Sequence, residues 1–162
     1  ASDVYKRQVY DPYVKEHEIR EAGGEAVGLE ELLRCSDIVS MHARVSETSK
    51  GMMGREQFRM MKKTAVFINT ARSPLVDMDA LYEALKEQWI TGAAIDNYEV
   101  EPVPKDSPLL NLDNLTFSCH KSGDTVEAFA DSPAMVLTQA ERYFAGETPR
   151  FLMNPEVLKG SR

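Results

Sequence analysis

The chain has 162 residues and 43% apolar content, which is enough for one domain with a real core and too little for two of ordinary size. Its formal net charge is −7 and no block of lysine and arginine stands out, which argues against a nucleic-acid surface. No apolar run approaches the roughly 20 residues that span a bilayer, and no signal-peptide pattern is present. Its two cysteines make no disulfide framework. The composition therefore predicts a cytoplasmic protein that contacts neither nucleic acid nor membrane.

The first eight residues, 1–8, do not fit the start of a nucleotide-binding domain. A doubly wound nucleotide-binding fold needs a first strand, a glycine-rich turn and a first helix before the strand that ends at Asp11. Only eight residues precede Val9, and none of them is glycine. The segment from Asp3 to Gln8 is also what one reading frame of a transposon end used to fragment DNA would encode. We therefore predict that residues 1–8 are a non-native leader and that the gene is truncated at its 5′ side.

From Val9 onward, strand-like and helix-like segments alternate with short connections, which is typical of βαβ units and a mostly parallel sheet. Short apolar runs bounded by polar residues predict strands that are buried on both faces. These strands lie at 37–41, 64–69, 92–96 and 114–118. The pattern predicts the α/β class.

One helix is predicted between the strands at 64–69 and 92–96. Leu81, Ala84 and Leu85 repeat at helical spacing after Asp77, whose side chain can cap a helix N-terminus. The pattern predicts that this helix ends near Gln88.

Two proline-containing segments lie in the C-terminal half of the chain. Residues 99–112 contain three prolines and predict an ordered loop that crosses the sheet edge. Further along, Ser132-Pro133 resembles an N-cap with proline at the first helical position, and the helix would stop at Gly146. The alternative is that this helix starts near Thr125 and contains Pro133.

Asp11 ends the first predicted strand, before Pro12. A carboxylate there can accept both hydroxyls of an adenosine ribose and repel a 2′-phosphate, which would favour NAD over NADP. An ordinary turn aspartate before proline explains the same residues. Likewise, His42 could form a cofactor wall or be a satisfied core or capping histidine, and Thr48 could cap a helix or reach a phosphate.

Arg72, Glu101 and His120 each follow a predicted strand, which places them at the carboxyl edge of a parallel sheet, where ligands bind. Arginine can hold a carboxylate by two parallel hydrogen bonds, and histidine can give or take a hydroxyl proton. A neighbouring glutamate favours the charged imidazole. The three side chains together suit the oxidation or reduction of a hydroxy acid, although a solvated arginine, a loop acid and a capping histidine are the ordinary alternatives.

Cys119 precedes His120 and could suggest a cysteine nucleophile. Adjacent residues of an extended chain point to opposite faces, so they are poorly placed to share a proton. The three histidines show no metal-ligand spacing, and no metal site is predicted.

From Val9 to about Leu158, the chain resembles the C-terminal part of the D-isomer-specific 2-hydroxyacid dehydrogenases, which include phosphoglycerate, glycerate and D-lactate dehydrogenases. The resemblance rests on the order and spacing of its most specific stretches, which are residues 61–72, residues 75–77 with 80–81, residues 92–96 with 101–102, and residues 106–110 with His120 and Gly123. It implies a Rossmann-like doubly wound parallel sheet that is truncated at its N-terminus, without the first strand, glycine-rich turn and first helix. It also implies an incomplete NAD-binding domain at 9–146 and a C-terminal tail at 147–162.

The resemblance implies that the protein uses NAD and a small 2-hydroxy or 2-keto acid, and that the full-length parent is a homodimer. Arg72 would bind the substrate, His120 would be the general acid/base, and Glu101 would pair with His120. The implied cofactor-binding residues are Asp11 at the ribose, Asp96 near the nicotinamide carboxamide, and His42, Thr48, Thr70 and Gly123.

The chain departs from the family pattern at several positions. Ser73 replaces a usual glycine, Cys119 replaces a usual proline, and Lys121 and Asn97 replace usually apolar residues. These departures bear on substrate preference and rate more than on reaction class. Two other interpretations stay open, a nucleotide-sensing corepressor-like binding protein of the same fold and an inactive relic fragment. Because the phosphate-binding turn is missing, we predict little or no activity for this polypeptide alone.

Overall fold

The computed structural model describes residues 5–159, which form two compact units, residues 5–121 and residues 122–159. The division falls inside the range 9–146 that was predicted as one domain, and the three predicted domain ranges stay predictions. Within the described part of the chain, none of the helices combines the length and apolarity that crossing a bilayer requires.

The first unit alternates short strands and helices along the chain. Its elements are β1 (Gln8–Val9), α1 (Glu16–Glu21), β2 (Glu25–Ala26), α2 (Leu29–Cys35), β3 (Ile38–Met41), α3 (Arg55–Met60), β4 (Val66–Asn69), α4 (Met78–Lys86), β5 (Gly92–Ile95) and β6 (Leu115–Phe117). Single 3₁₀ turns lie at Ser73–Leu75 and Pro108–Asn111.

All strand pairs of this unit are parallel. β1 pairs with β2, and a separate four-stranded sheet has the order β3-β4-β5-β6. Its register aligns Ile38 with Val66, Val66 with Gly92, and Ala93 with Leu115. The predicted α/β class with a Rossmann-like parallel sheet is confirmed, and each of the four predicted strands is found within its predicted range.

The core of the first unit lies between the four-stranded sheet and its helices. Phe58 of α3 and Phe67 of β4 are fully buried and meet edge to face, with ring centroids 5.2 Å apart. α4 buries Leu81 and Leu85, as its helical spacing predicted. Asp77 caps this helix, because its Oδ1 accepts a hydrogen bond of 3.0 Å from the backbone N–H of Ala80.

The N-terminal residues 5–8 take part in the fold. Gln8 pairs with Glu25 of β2, and Lys6 Nζ lies 2.8 Å from a carboxylate oxygen of Glu25. A strand pairing does not identify where a segment comes from, so the non-native origin of residues 1–8 stays a prediction. Residues 1–4 of that segment lie outside the described residues.

The second unit consists of α5 (Val126–Phe144) and a 3₁₀ turn at Pro155–Lys159. The helix begins after Thr125, whose Oγ1 accepts a 3.1 Å hydrogen bond from the N–H of Ala128. Pro133 lies inside the helix, so the prediction of a start at Ser132 is wrong and the alternative start near Thr125 is confirmed. Proline is favoured at the first helical position and disfavoured in a helix interior, so local sequence favoured the start at Ser132, but the capping bond of Thr125 shows that the helix starts earlier and includes Pro133.

Candidate active site

The carboxyl ends of β4, β5 and β6 meet at one edge of the sheet. Because neighbouring strands run parallel, Arg72 after β4, Asp96 after β5 and His120 after β6 all follow the same edge. Glu101 lies in the segment that leaves β5. The sheet topology therefore positions all the residues predicted to carry chemistry at the edge where ligands of open α/β sheets bind.

Glu101 and His120 form a hydrogen-bonded pair. His120 Nδ1 lies 3.0 Å from each carboxylate oxygen of Glu101. The Oε1 atom also accepts a 3.0 Å hydrogen bond from the backbone N–H of Tyr98. These bonds lower the pKa of the Glu101 carboxyl, the one from His120 contributing most. Because an ionised carboxylate only accepts hydrogen bonds, Nδ1 carries the proton and Nε2, on the opposite side of the ring, is directed away from Glu101.

The segment that carries His120 is held at both ends by Asp96. This carboxylate is 1% exposed, and its Oδ1 accepts bonds from Ser118 Oγ at 2.6 Å and from the Lys121 N–H at 3.0 Å. His120 itself has φ 53°, in the left-handed region that non-glycine residues seldom occupy. Asp96 thus fixes the backbone around His120, while its predicted role beside the nicotinamide stays a prediction.

The turn that carries Arg72 is fixed by Asn69, the last residue of β4. Asn69 is fully buried, its Nδ2 donates to the carbonyl of Arg72 at 3.1 Å, and its Oδ1 accepts from the N–H of Ala71 at 3.0 Å. The Arg72 side chain is exposed, and its Nη1 donates to the carbonyl of Ala71 at 2.7 Å. Thr70, a predicted cofactor residue, is exposed in the same turn.

Three of the predicted cofactor residues line one cavity of about 980 Å³, namely Asp11, His42 and Thr48. The cavity is bounded by residues of β1, α2 and β3, and its apolar wall includes Leu29, Leu32, Leu33, Val39 and Met41. The structure therefore brings together residues that are more than thirty positions apart in the chain. Its polar and apolar lining suits a nucleoside, which has a flat apolar base and a polar sugar.

Local hydrogen bonds orient these three polar side chains. Asp11 Oδ1 accepts from the N–H of Tyr13 at 2.8 Å, so the carboxylate also serves as the turn aspartate considered from the sequence. His42 Nε2 lies 2.9 Å from Ser40 Oγ. Thr48 Oγ1 lies 3.0 Å from the hydroxyl oxygen of Ser46, in the same loop.

Gly123 and Cys119 complete the residues that were considered from the sequence. Gly123 belongs to the second unit, and its role stays a prediction. Cys119 is an exposed free cysteine. Among residues 5–159, no group of three histidine, cysteine, aspartate or glutamate side chains could hold a metal ion.

Sequence reasoning missed the residues that support the site. The phenol hydroxyl of Tyr98 donates to two backbone carbonyls, that of Ser118 at 2.8 Å and that of Ile95 at 3.1 Å. In the sequence, Asn69 is only the last residue of the predicted strand at 64–69. A polar residue that ends a buried parallel strand is a usable signal for Asn69, whereas no local pattern marks a bond from Tyr98 to a carbonyl twenty residues away.

Comparison with known proteins identifies the family of the chain. The sequence profile of the family described as "D-isomer specific 2-hydroxyacid dehydrogenase, NAD binding domain" matches residues 4–122. A glyoxylate reductase of Korarchaeum cryptofilum is 43% identical over 150 residues, which cover 93% of this chain and 45% of that protein. A D-3-phosphoglycerate dehydrogenase of Methanocaldococcus jannaschii is 39% identical over 90% of this chain and 28% of its own length.

Solved structures show the same fold. A D-isomer-specific 2-hydroxyacid dehydrogenase from Lactobacillus delbrueckii ssp. bulgaricus, in its NAD-complexed form, matches with a TM-score of 0.80 and 26% identity over 90% of this chain and 47% of that chain. The holo form of Rhodotorula graminis D-mandelate dehydrogenase matches with a TM-score of 0.76 and 33% identity over 85% of this chain and 40% of that chain. The chain thus spans less than half the length of these relatives. It belongs to the D-isomer-specific 2-hydroxyacid dehydrogenase family and matches the NAD-binding domain of that family.

Proposed function

We propose that the full-length protein is an NAD-dependent oxidoreductase that interconverts a D-2-hydroxy acid and its 2-keto acid. The observation that carries this proposal is the Glu101–His120 pair, with both carboxylate oxygens 3.0 Å from Nδ1, at the sheet edge that Arg72 also follows. A carboxylate that fixes one ring nitrogen leaves the other nitrogen of the imidazole for proton exchange with a ligand.

His120 would move the proton of the reaction. In reduction of a keto acid, a protonated Nε2 would donate to the carbonyl oxygen as this oxygen becomes a hydroxyl, and in oxidation Nε2 would accept the same proton. Glu101 would hold the ring through Nδ1 while this exchange takes place. Arg72 would bind the substrate carboxylate, because a guanidinium presents two parallel N–H donors to a carboxylate.

The cavity bounded by β1, α2 and β3 would hold the adenosine part of NAD. Its volume of about 980 Å³ is at the upper end of ligand sites, and Asp11 belongs to its polar lining. The carboxylate of Asp11 would accept the ribose hydroxyls and disfavour a 2′-phosphate. His42 and Thr48 would line the groove.

Three further residues are proposed to bind the cofactor. Thr70 and Asp96 follow β4 and β5 at the carboxyl edge of the sheet, where the nicotinamide end of NAD would lie. For Gly123 the support is the family resemblance alone. When bound, NAD supplies or accepts the hydride.

The proposal also covers the longer protein to which this chain would belong and its oligomeric state. Because the chain spans less than half of its relatives, the remainder of the substrate cleft would come from the longer protein, and a homodimer is the expected assembly. The substrate would be a small 2-hydroxy or 2-keto acid. The isolated 162-residue chain is expected to show little or no turnover.

The test is an NADH-oxidation assay of the full-length protein with glyoxylate and a panel of larger 2-keto acids. We expect turnover with at least one of them, and a loss of about 100-fold or more in kcat for His120→Gln, since a general acid typically contributes 10²–10⁴-fold. Glu99→Gln, which changes an exposed acid two residues before Glu101, is the matched control and should keep the activity. Absence of turnover with every keto acid, or full activity of His120→Gln, would refute the proposal.

A further inference from the structure

Tyr98 bonds to Glu101 and to the segment that carries His120, through two different groups. Its backbone N–H donates to Glu101 Oε1 at 3.0 Å, and its phenol hydroxyl donates to the carbonyl of Ser118 at 2.8 Å. Ser118 lies two residues before His120. One residue between β5 and Glu101 therefore touches the segment that carries the glutamate and the segment that carries the histidine.

The ring of Tyr98 is held in place as well. It stacks on Phe117 of β6, with ring centroids 6.0 Å apart and an interplanar angle of 26°. The hydroxyl reaches the carbonyl of Ile95, at the end of β5, at 3.1 Å, so it also bridges two neighbouring strand ends. Burial raises the pKa of the phenol further above its ordinary value of 10.0, so the hydroxyl is protonated and able to donate over the whole neutral range.

The backbone at His120 needs such support. Its φ of 53° lies in the left-handed region, which costs energy for a residue with a Cβ unless neighbouring contacts impose it. Asp96 binds the side chain of Ser118 and the N–H of Lys121, which anchors both sides of His120 to β5. Neither of these two bonds involves Glu101, so neither specifies how far the carboxylate lies from the imidazole. Tyr98 bonds to Glu101 and to the histidine segment at once.

We propose that Tyr98 is a positioning residue that sets the distance between Glu101 and His120. Its amide N–H bonds to one carboxylate oxygen of Glu101, and its phenol bonds to the carbonyl of Ser118, two residues before His120. This inference rests on the proposed function only in assigning a catalytic use to the pair, because the geometry that it explains is a property of the chain itself. No substrate or cofactor contact is assigned to Tyr98.

The variant that tests this is Tyr98→Phe, which keeps the backbone N–H and the ring that stacks on Phe117 and removes only the hydroxyl. Tyr82→Phe is the matched control, because Tyr82 is also a partly buried tyrosine, and it lies on α4 against Lys86. The measurement is a ¹³C NMR titration of the Glu101 carboxyl in the 162-residue chain, together with a thermal melt. Phe117→Leu, which weakens the stacking without touching the hydroxyl, controls for a general loss of stability.

We expect Tyr98→Phe to move the pKa of Glu101 upward towards its ordinary value of 4.5, since the bond to His120 is the largest cause of its lowering. Tyr82→Phe and Phe117→Leu should leave this pKa where it is, even if Phe117→Leu melts earlier. In the full-length enzyme, Tyr98→Phe should displace the pH profile of kcat with little change in KM.

An unchanged Glu101 titration in Tyr98→Phe would overturn the inference. A Tyr98→Phe chain without a cooperative melting transition would overturn it too, because the phenol would then be required for the fold rather than for the pair. The titration needs neither substrate nor cofactor. A full-length protein without turnover would therefore refute the proposed activity. The positioning role of Tyr98 would still be decided by the NMR titration alone.

Discussion

Both carboxylate oxygens of Glu101 lie 3.0 Å from Nδ1 of His120, although nineteen positions separate the two residues in the chain. The approach follows from topology, because β5 and β6 are neighbours in a parallel sheet and deliver the segments after them to the same edge. The side chain of His120 is 44% exposed and that of Glu101 39% exposed, so the pair lies at the surface of this chain. It is accessible to a ligand and to solvent protons.

The first prediction concerns the titration of Glu101. Replacing His120 by alanine should raise the pKa of the Glu101 carboxyl, because this removes the largest cause of its lowering. The value should stay below the ordinary 4.5, since the N–H of Tyr98 still donates to the carboxylate. The check is a ¹³C NMR titration of the carboxyl carbon, with Glu99→Gln as the control that should not move it.

The same shift predicts how stability depends on pH. A carboxyl whose pKa is lower in the folded chain adds stability above its unfolded-state value, near 4.5, and this contribution disappears as the pH falls through the lowered folded value. Urea unfolding of the native chain and of Glu101→Gln should therefore differ at pH 6 and converge in acid. A difference that grows as the pH falls below the folded value would contradict the assignment.

The second prediction concerns Arg72. In the full-length enzyme, Arg72→Lys should lower kcat/KM by about 10- to 100-fold, since losing one hydrogen bond to a charged group costs about 1.5–3 kcal/mol. Arg72→Gln should lower it further, because the charge is lost as well. Arg59→Lys is a suitable control, since Arg59 lies over the Trp89 ring at 4.3 Å on α3, and it should leave kcat/KM unchanged. Equal activity of Arg72→Lys and native enzyme would exclude a carboxylate-binding role.

The third prediction concerns cofactor preference. Asp11→Ser should raise kcat/KM with NADPH relative to NADH by about tenfold or more, because a carboxylate that repels a 2′-phosphate is removed. Serine can still accept the N–H of Tyr13, so the turn should survive the change. Steady-state assays with both cofactors provide the measurement, and Asp113→Ser, at a polar loop position before β6, is the control. An unchanged ratio would mean that Asp11 acts only in its turn.

The sequence predicted the sheet and the residues at its edge for a shared physical reason. Parallel strands that are buried on both faces are continuous apolar runs, so β3 to β6 stand out without any tertiary information. A residue that follows such a strand is at the ligand-binding edge by topology alone, which is how Arg72 and His120 were selected. The contact between Glu101 and His120 needed no separate prediction, because β5 and β6 are neighbours in the sheet.

The support of the site could not be predicted in this way. The bond from the Tyr98 hydroxyl to the carbonyl of Ser118 depends on how two irregular segments pack, and a backbone carbonyl carries no residue identity. The start of α5 at Thr125 was one of two possibilities, since local sequence allowed either Thr125 or Ser132 as a cap. Contacts of irregular segments and competing caps are decided by tertiary packing, which periodicity does not encode.

The fourth prediction compares two buried asparagines. Asn69 uses both of its side-chain groups, bonding the carbonyl of Arg72 and the N–H of Ala71 at 3.1 and 3.0 Å. Asn97, which replaces a usually apolar residue, is 3% exposed and makes only a 3.5 Å contact from Nδ2 to the carbonyl of Asn69. Its Oδ1 is buried without a hydrogen-bond partner among the described residues. A buried acceptor without a partner costs about 1–3 kcal/mol.

Asn97→Val should therefore raise the free energy of unfolding by about 1 kcal/mol, whereas Asn69→Val should lower it by about 1–3 kcal/mol, since the carbonyl of Arg72 and the N–H of Ala71, which are both part-buried, lose their hydrogen-bond partner. Urea unfolding of the two variants and the native chain at one pH measures both effects, provided that the slopes agree. Because both variants exchange an amide for an isopropyl group, the general effect of that exchange cancels when the two are compared. If Asn97→Val destabilises the chain as much as Asn69→Val, the Oδ1 atom of Asn97 must accept a bond, and an internal water would be the donor to look for.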